Sequence, residues 1–453
     1  MREDICSCQV SLTEAAAVDA WNGVVHAVLS HGQAAPVHLG RLIELAPGYA
    51  MGYAIKGLAT LMLARRELYA AAEEANANAK AALKAGGATK RERLWCRALD
   101  GWLAGEPRVA IAAMEECIRL NPRDTISMKL SHGIRFIIGD NKGMLSSIKA
   151  VMGAHGEDHA LRGYALGCLS FALEENGHYE AAEQSGLEGL QFAADDAWGL
   201  HAVAHVYDMT HQTRSGISLI DANMKAWDHC NNFRFHVWWH KALLLLDEGD
   251  YGSVLALYDQ QIRSDKTDDY RDFSNASSLL MRLELEGVPV GDRWVELADL
   301  AESRLQDGCL VFADMHYMLA LVGDNRAKAA SKMIARVAES ARGDDAMAKV
   351  MRDPGQAAAL GLASFGEAQY ETAFENLRAA QPKFQIIGGS HAQRDVFERL
   401  TIEAGIRAGQ LEEARTILQK RIDQRAGVLD SFAASRMELI EETRRNQAQF
   451  AAE

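Results

Sequence analysis

From Pro107 the chain reads PRVAIAAMEECIRLNPRDTISMKLSHGIRFIIGDN, with apolar residues recurring every three to four positions. That period puts them on one face of a helix. It predicts a helix of about a dozen residues, a turn at NPRD (121–124), and a second helix broken near Gly139.

The same rhythm returns in ENGHYEAAEQSGLEGLQFAADDAWGLHAVAHVYDM, in DEGDYGSVLALYDQQI (247–262), and in GQLEEARTILQKRI from Gly409. Gly177 and Gly249 each stand two residues before a tyrosine and a helix of similar length. Such helix pairs resemble tetratricopeptide units. Stacked through small residues at their contacts, they build a solenoid. The expected fold is all-α, a tetratricopeptide-like helical repeat solenoid with degenerate repeats. Interruptions fall at Gly86–Gly87, at Asp265 to Asp269, at EGVPVGD around Gly287, and at IIGGS (386–390). Three regions are expected: an N-terminal helical region (1–90), a repeat core (91–380), and C-terminal helices that close the array (381–453).

Composition supports helices, because only seven prolines occur in 453 residues while alanine, leucine, glutamate and lysine fill long segments. With 48 Lys+Arg against 62 Asp+Glu the formal charge is −14, without a basic block. Nucleic acid is therefore not an expected partner, since phosphate binding needs local positive potential. MREDICSCQV lacks the basic region and apolar run of a secretory signal, and no 18-residue uncharged apolar run follows. No membrane partner is expected, and the expected location is cytoplasmic. Seven scattered cysteines fit a reducing compartment rather than a disulfide scaffold. Cys6 and Cys8 form a CxC, expected near a mobile terminus and a weak signal for metal.

Chemistry is concentrated in two HxxxH stretches. HAVAHVYDMTHQ (201–212) sets His201 and His205 on one helical face, with Asp208 a further step along; NFRFHVWWHKALLLL sets His236 and His240 on a second helix. Four imidazoles could bind a divalent cation, with Asp208 as ligand or orienting group, or they could act as acid–base groups around a substrate. A plain alternative is a polar seam of packed histidines beside Trp238 and Trp239. Cofactors are left unknown, with a divalent metal and no metal equally open. HExxH is absent, position 202 being alanine, and so are GxSxG and a Walker A motif.

GGSHAQRD (388–395) predicts a loop entering a helix capped by Ser390 with Gln393. It brings His391, Arg394 and Asp395 into one turn. Arg394 could grip a carboxylate or phosphate, His391 could transfer a proton, and Asp395 could orient it; the alternative is a cap with an internal ion pair. Asp259, Asp272 and Asp314 are expected to be solvent-facing or locally satisfied. His316 is marked as an outer member of a pocket.

Through HAVAHVYDMTHQ, HVWWHKALLLLDEGDYGSVLALYD, SSLLMRLELEG and GGSHAQRDVFERL, the chain resembles the tetratricopeptide repeat protein 38 family over roughly residues 90 to 420. The resemblance implies a repeat-built helical protein and carries over no assigned reaction. Its defining positions map here to His201, His205, His236, His240, His391, Arg394 and Asp395. The reading is a small-molecule enzyme, a hydrolase or lyase acting on an amide or related polar metabolite. A noncatalytic peptide-binding scaffold and a small-molecule sensor stand as alternatives. A polar small molecule is the favoured partner, with a peptide or protein partner and a homodimer left open.

Overall fold

The computed structural model describes residues 2–452, with side chains described to residue 447. Helix Pro107–Leu120 shows how the pattern becomes structure. Proline opens it, where its missing N–H costs nothing, and Asn121 ends it. Its buried side chains are Ala110, Ile111, Ala113, Met114, Cys117 and Ile118, the one stripe the sequence period defines. Burying each of the larger ones contributes about 1.5–3 kcal/mol.

Consecutive helices pair, as Lys90–Leu103 does with Pro107–Leu120, Arg162–Glu174 with Tyr179–Phe192, and Gln356–Gly366 with Tyr370–Ala380. Within the Arg162–Glu174 pair the backbones approach closely at Gly163 and Gly189: a Cβ on Gly163 would stand 2.8 Å from the Gly189 carbonyl oxygen. Expected turns fall between helices. At Gly249 the backbone turns left-handed, with φ of 75°, after which Asp250 caps the helix Tyr251–Leu257 through the Ser253 N–H.

The fold is all-α with helical repeats, apart from a hairpin of Arg2–Glu3 and Gln9–Val10 among the described residues. The chain divides into two compact units, residues 1–203 with 221–234, and residues 204–220 with 235–453. These bounds differ from the three regions drawn on the sequence. The first unit packs around Trp21, Trp95, Phe171 and Trp198. The second has a core that includes Phe374, Ile402, Leu418 and Phe432. No described helix is long and apolar enough to cross a membrane.

The CxC was expected in a mobile terminus, but Cys6 and Cys8 are both buried. Asp4 explains the difference. Its carboxylate accepts from the Cys6 and Cys8 N–H groups, from Trp21 Nε1 at 2.9 Å, and from Arg91 at 2.6 Å. Arg91 also binds Asp124 through two bonds, at 2.7 and 2.6 Å. Burial and the neighbouring carboxylates push the Cys8 thiol well up, so it stays protonated and is a poor metal ligand.

Arg91 thus pins the hairpin to the helices, with two buried carboxylates depending on it. Arg91→Met is expected to destabilise the protein by about 3–5 kcal/mol in urea unfolding, because both partners keep their charge and lose its balance. A loss below about 1 kcal/mol would show that water reaches the pair freely.

Candidate functional site

The helix Phe233–Asp247 sets His236 and His240 one turn apart with Trp239 between them. The Trp239 ring stacks on His236 at 5.2 Å and meets His240 edge-on at 4.9 Å, which holds both imidazoles in place. His205 comes from helix Ala197–Met209, and its ring centre lies 4.3 Å from that of His240. Each of these three histidines of the second unit offers a ring nitrogen within 4.8 Å of the others. His201, one turn earlier in sequence, belongs to the first unit, where its ring stacks on Phe171 at 5.4 Å and lies 4.9 Å from Trp198. Of the three, His205 and His240 are buried, and His236 is only half-buried.

Asn275 decides the chemistry of His236. From helix Tyr270–Leu285 its Oδ1 stands 3.0 Å from His236 Nδ1, so this nitrogen carries the proton and Nε2 keeps a lone pair. That Nε2 lies 3.2 Å from His240 Nε2. Two imidazole nitrogens bound to one tetrahedral ion are about 3.3 Å apart, given bonds of about 2.0–2.1 Å. The spacing fits a shared cation. Desolvation pushes His236 down to about 4, which keeps it neutral at pH 7, the form that can ligate.

The same helix carries Arg282, fully buried, with its guanidinium 5.7 Å from the Trp239 ring centre. It donates to the carbonyls of Ser278 and Ala392 and lies 3.7 Å from Asp395. Burial lowers its pKa to about 9, and the cation persists at neutral pH.

Asp208 was expected to ligate or orient an imidazole. Its carboxylate accepts from Arg425 at 2.9 Å, and its carbonyl accepts from the same guanidinium at 2.7 Å. A buried chain of charges continues from there. Arg425 lies 3.4 Å from Asp430, which takes two bonds from Arg421, and Arg421 donates to Asp395 at 2.6 Å. Asp395 was expected to orient His391. It is gripped by Arg421 and Arg399, which hold its carboxyl well below the usual range.

Ser390 and Gln393 form the expected capping box. Arg394, expected to hold an anionic ligand, donates to the carbonyls of Gly388 and Gly389 and to Gln385 Oε1 at 3.0 Å. It clasps its own loop. Gly389 is required there, since its φ is 78° and a Cβ would run into Phe312. His391 is half-buried at the start of its helix, with the Glu398 side chain nearby.

Asp259 pairs with Arg293, Asp314 with Arg336, and Asp272 accepts from Thr267, so each is locally satisfied. His316 Nδ1 donates to the Phe312 carbonyl at 2.7 Å, while Nε2, deep among Phe312 and Phe397, has no hydrogen-bond partner.

The sequence pattern missed Asn275, Arg282, Arg421, Arg425 and Asp430. A signal existed for the arginines of helix Leu411–Gln424 and its end: Arg421 and Arg425 continue the stripe of Ile417, Leu418 and Ile422, and a charge on an apolar stripe marks a buried pair. No family model matches the chain.

Burial lowers the His316 pKa to about 3. The unfolded chain takes up its proton near pH 6.5 and the fold does not, so stability falls as pH drops from 6.5 towards 3. His316 contributes a slope of about 1.4 kcal/mol per pH unit in that window. His316→Gln is expected to flatten the urea-unfolding profile between pH 6 and 4 by about that amount. An unchanged slope would mean that the imidazole is protonated in the fold.

Proposed function

We propose that this chain is a metal-dependent hydrolase of small polar molecules, with His205, His236 and His240 as ligands of one divalent transition-metal ion. The 3.2 Å approach of the His236 and His240 Nε2 atoms, with Asn275 behind His236, is the observation that carries this reading. A ligating imidazole that donates its other N–H to an oxygen is the usual oriented form. Three protein nitrogens leave a coordination position open, as catalytic sites do.

A bound ion supplies Lewis acidity and acidifies water at neutral pH. The protein's own groups do the rest. His236, half-buried, gives water and substrate their approach. The substrate class is an amide or related polar metabolite. With this function the chain takes its place beside the tetratricopeptide repeat protein 38 family, as a cytoplasmic protein whose seven cysteines are all free thiols.

Metal-free protein titrated with Co(II) is expected to bind one ion per chain and show the visible bands of a tetrahedral site. His240→Gln should abolish them, and Asn275→Ala should weaken binding by about 10–100-fold. Failure to bind Co(II) or Zn(II), or full binding by His240→Gln, overturns the metal assignment. Tight binding without turnover on any amide overturns the hydrolase assignment and leaves a sensor.

A further inference from the structure

The first unit holds a second polar cluster that this function does not use. Lys129 and His132 lie three residues apart on helix Thr125–Ile137, hence on one face. Cys168 and Phe171 face them from helix Arg162–Glu174. Asp196 and Trp198 stand at the start of helix Ala197–Met209. Lys129 Nζ sits 4.3 Å from the Trp198 ring centre, and the His132 ring meets Trp198 edge-on at 5.7 Å.

These groups are deeply buried: Lys129 and Trp198 are 9% exposed, His132 3% and Asp196 1%. Yet Lys129 Nζ, both His132 ring nitrogens, Trp198 Nε1 and Asp196 Oδ2 have no hydrogen-bond partner. Buried polar atoms are nearly always satisfied, so five such atoms in one place point to a missing partner.

The kinds of atom say what that partner is. Lysine offers three donors, the indole one and a neutral imidazole one, against two acceptors, the other imidazole nitrogen and Asp196 Oδ2. An unpaired buried ammonium is costly, and the Trp198 face offsets only part of that cost. Its carboxyl neighbour Asp196 is a weak counter-charge. Asp196 accepts from the Trp198 and Gly199 N–H groups, and burial pushes it up to about 7, so near neutrality it is only partly ionised. Arg135, the next cation on the Lys129 helix, is already held by Glu115 and Asp140. One free positive charge with neutral donors around it suits a monoanion with two oxygens rather than a phosphate dianion.

We propose that Lys129, His132 and Trp198 form a binding site for the carboxylate of a small organic acid. The Trp198 and Phe171 rings that wall this site also pack on His201, so the bound acid lies beside that imidazole. The site stands on its own residues and does not require the metal centre.

Sodium formate is the probe, titrated into the full-length, metal-free protein at an ionic strength fixed with sodium chloride. Saturation transfer to the formate proton is expected to be saturable and to be displaced by acetate. Lys129→Met should weaken formate binding by about tenfold or more, and His132→Gln by a smaller factor, with the helical circular dichroism unchanged. If Lys129→Met does not fold, His132→Gln decides alone. Transfer that does not saturate, or unaltered affinity in the folded variant, overturns the site. Displacement by chloride or inorganic phosphate at least as effective as that by acetate overturns its assignment to carboxylates. Because the protein is metal-free, either result is independent of Co(II) binding.

Discussion

A charge inside a packed helical array must meet an opposite charge, and both units are organised around that constraint. Desolvating a lone guanidinium or carboxylate costs more than a single apolar contact returns. Arg421 therefore sits between Asp395 and Asp430, with its guanidinium over Phe432. In the first unit Arg91 plays the same part between Asp4 and Asp124. Removing one member leaves its partners stranded, so these chains of charge tie distant helices together more firmly than any one apolar pair does.

The histidines are the other solution to the same problem. An imidazole in a desolvated setting gives up its proton and stays neutral, so it can be buried at a lower cost than a carboxylate. Neutrality also leaves a lone pair, and where several lone pairs converge the interior becomes a ligand set. Asn275 turns this from a packing outcome into a directed one by fixing which nitrogen of His236 keeps its proton. At His316 the Nδ1 proton is likewise fixed by the Phe312 carbonyl, and the ring packs on Phe312 and Phe397, so the other nitrogen faces aromatic carbon.

The cluster at Lys129 shows where this satisfaction stops. At Arg91, Arg263 and Arg336 a buried cation is matched by aspartate or glutamate within hydrogen-bond reach. Lys129 has an aromatic face instead. Trp198 therefore serves two groups, the ammonium above its face and His201 one turn along its own helix.

Helix periods, the turns at Gly177, Gly249 and Gly409, the capping box at Ser390 and the pairing of histidines four apart were all legible in the chain, because each depends on contacts within one turn or between neighbours in sequence. The partners of Asp208 and the distant partner of Asp395 were not. The nearest local partner for Asp395 was His391, but the side chains that bind it include Arg421, 26 positions away, and Asp208 meets Arg425, 217 positions away. Local spacing says which residues share a face. Only the packing of helices far apart in sequence decides which opposite charge reaches a buried carboxylate first, and which imidazole nitrogen is left to bind.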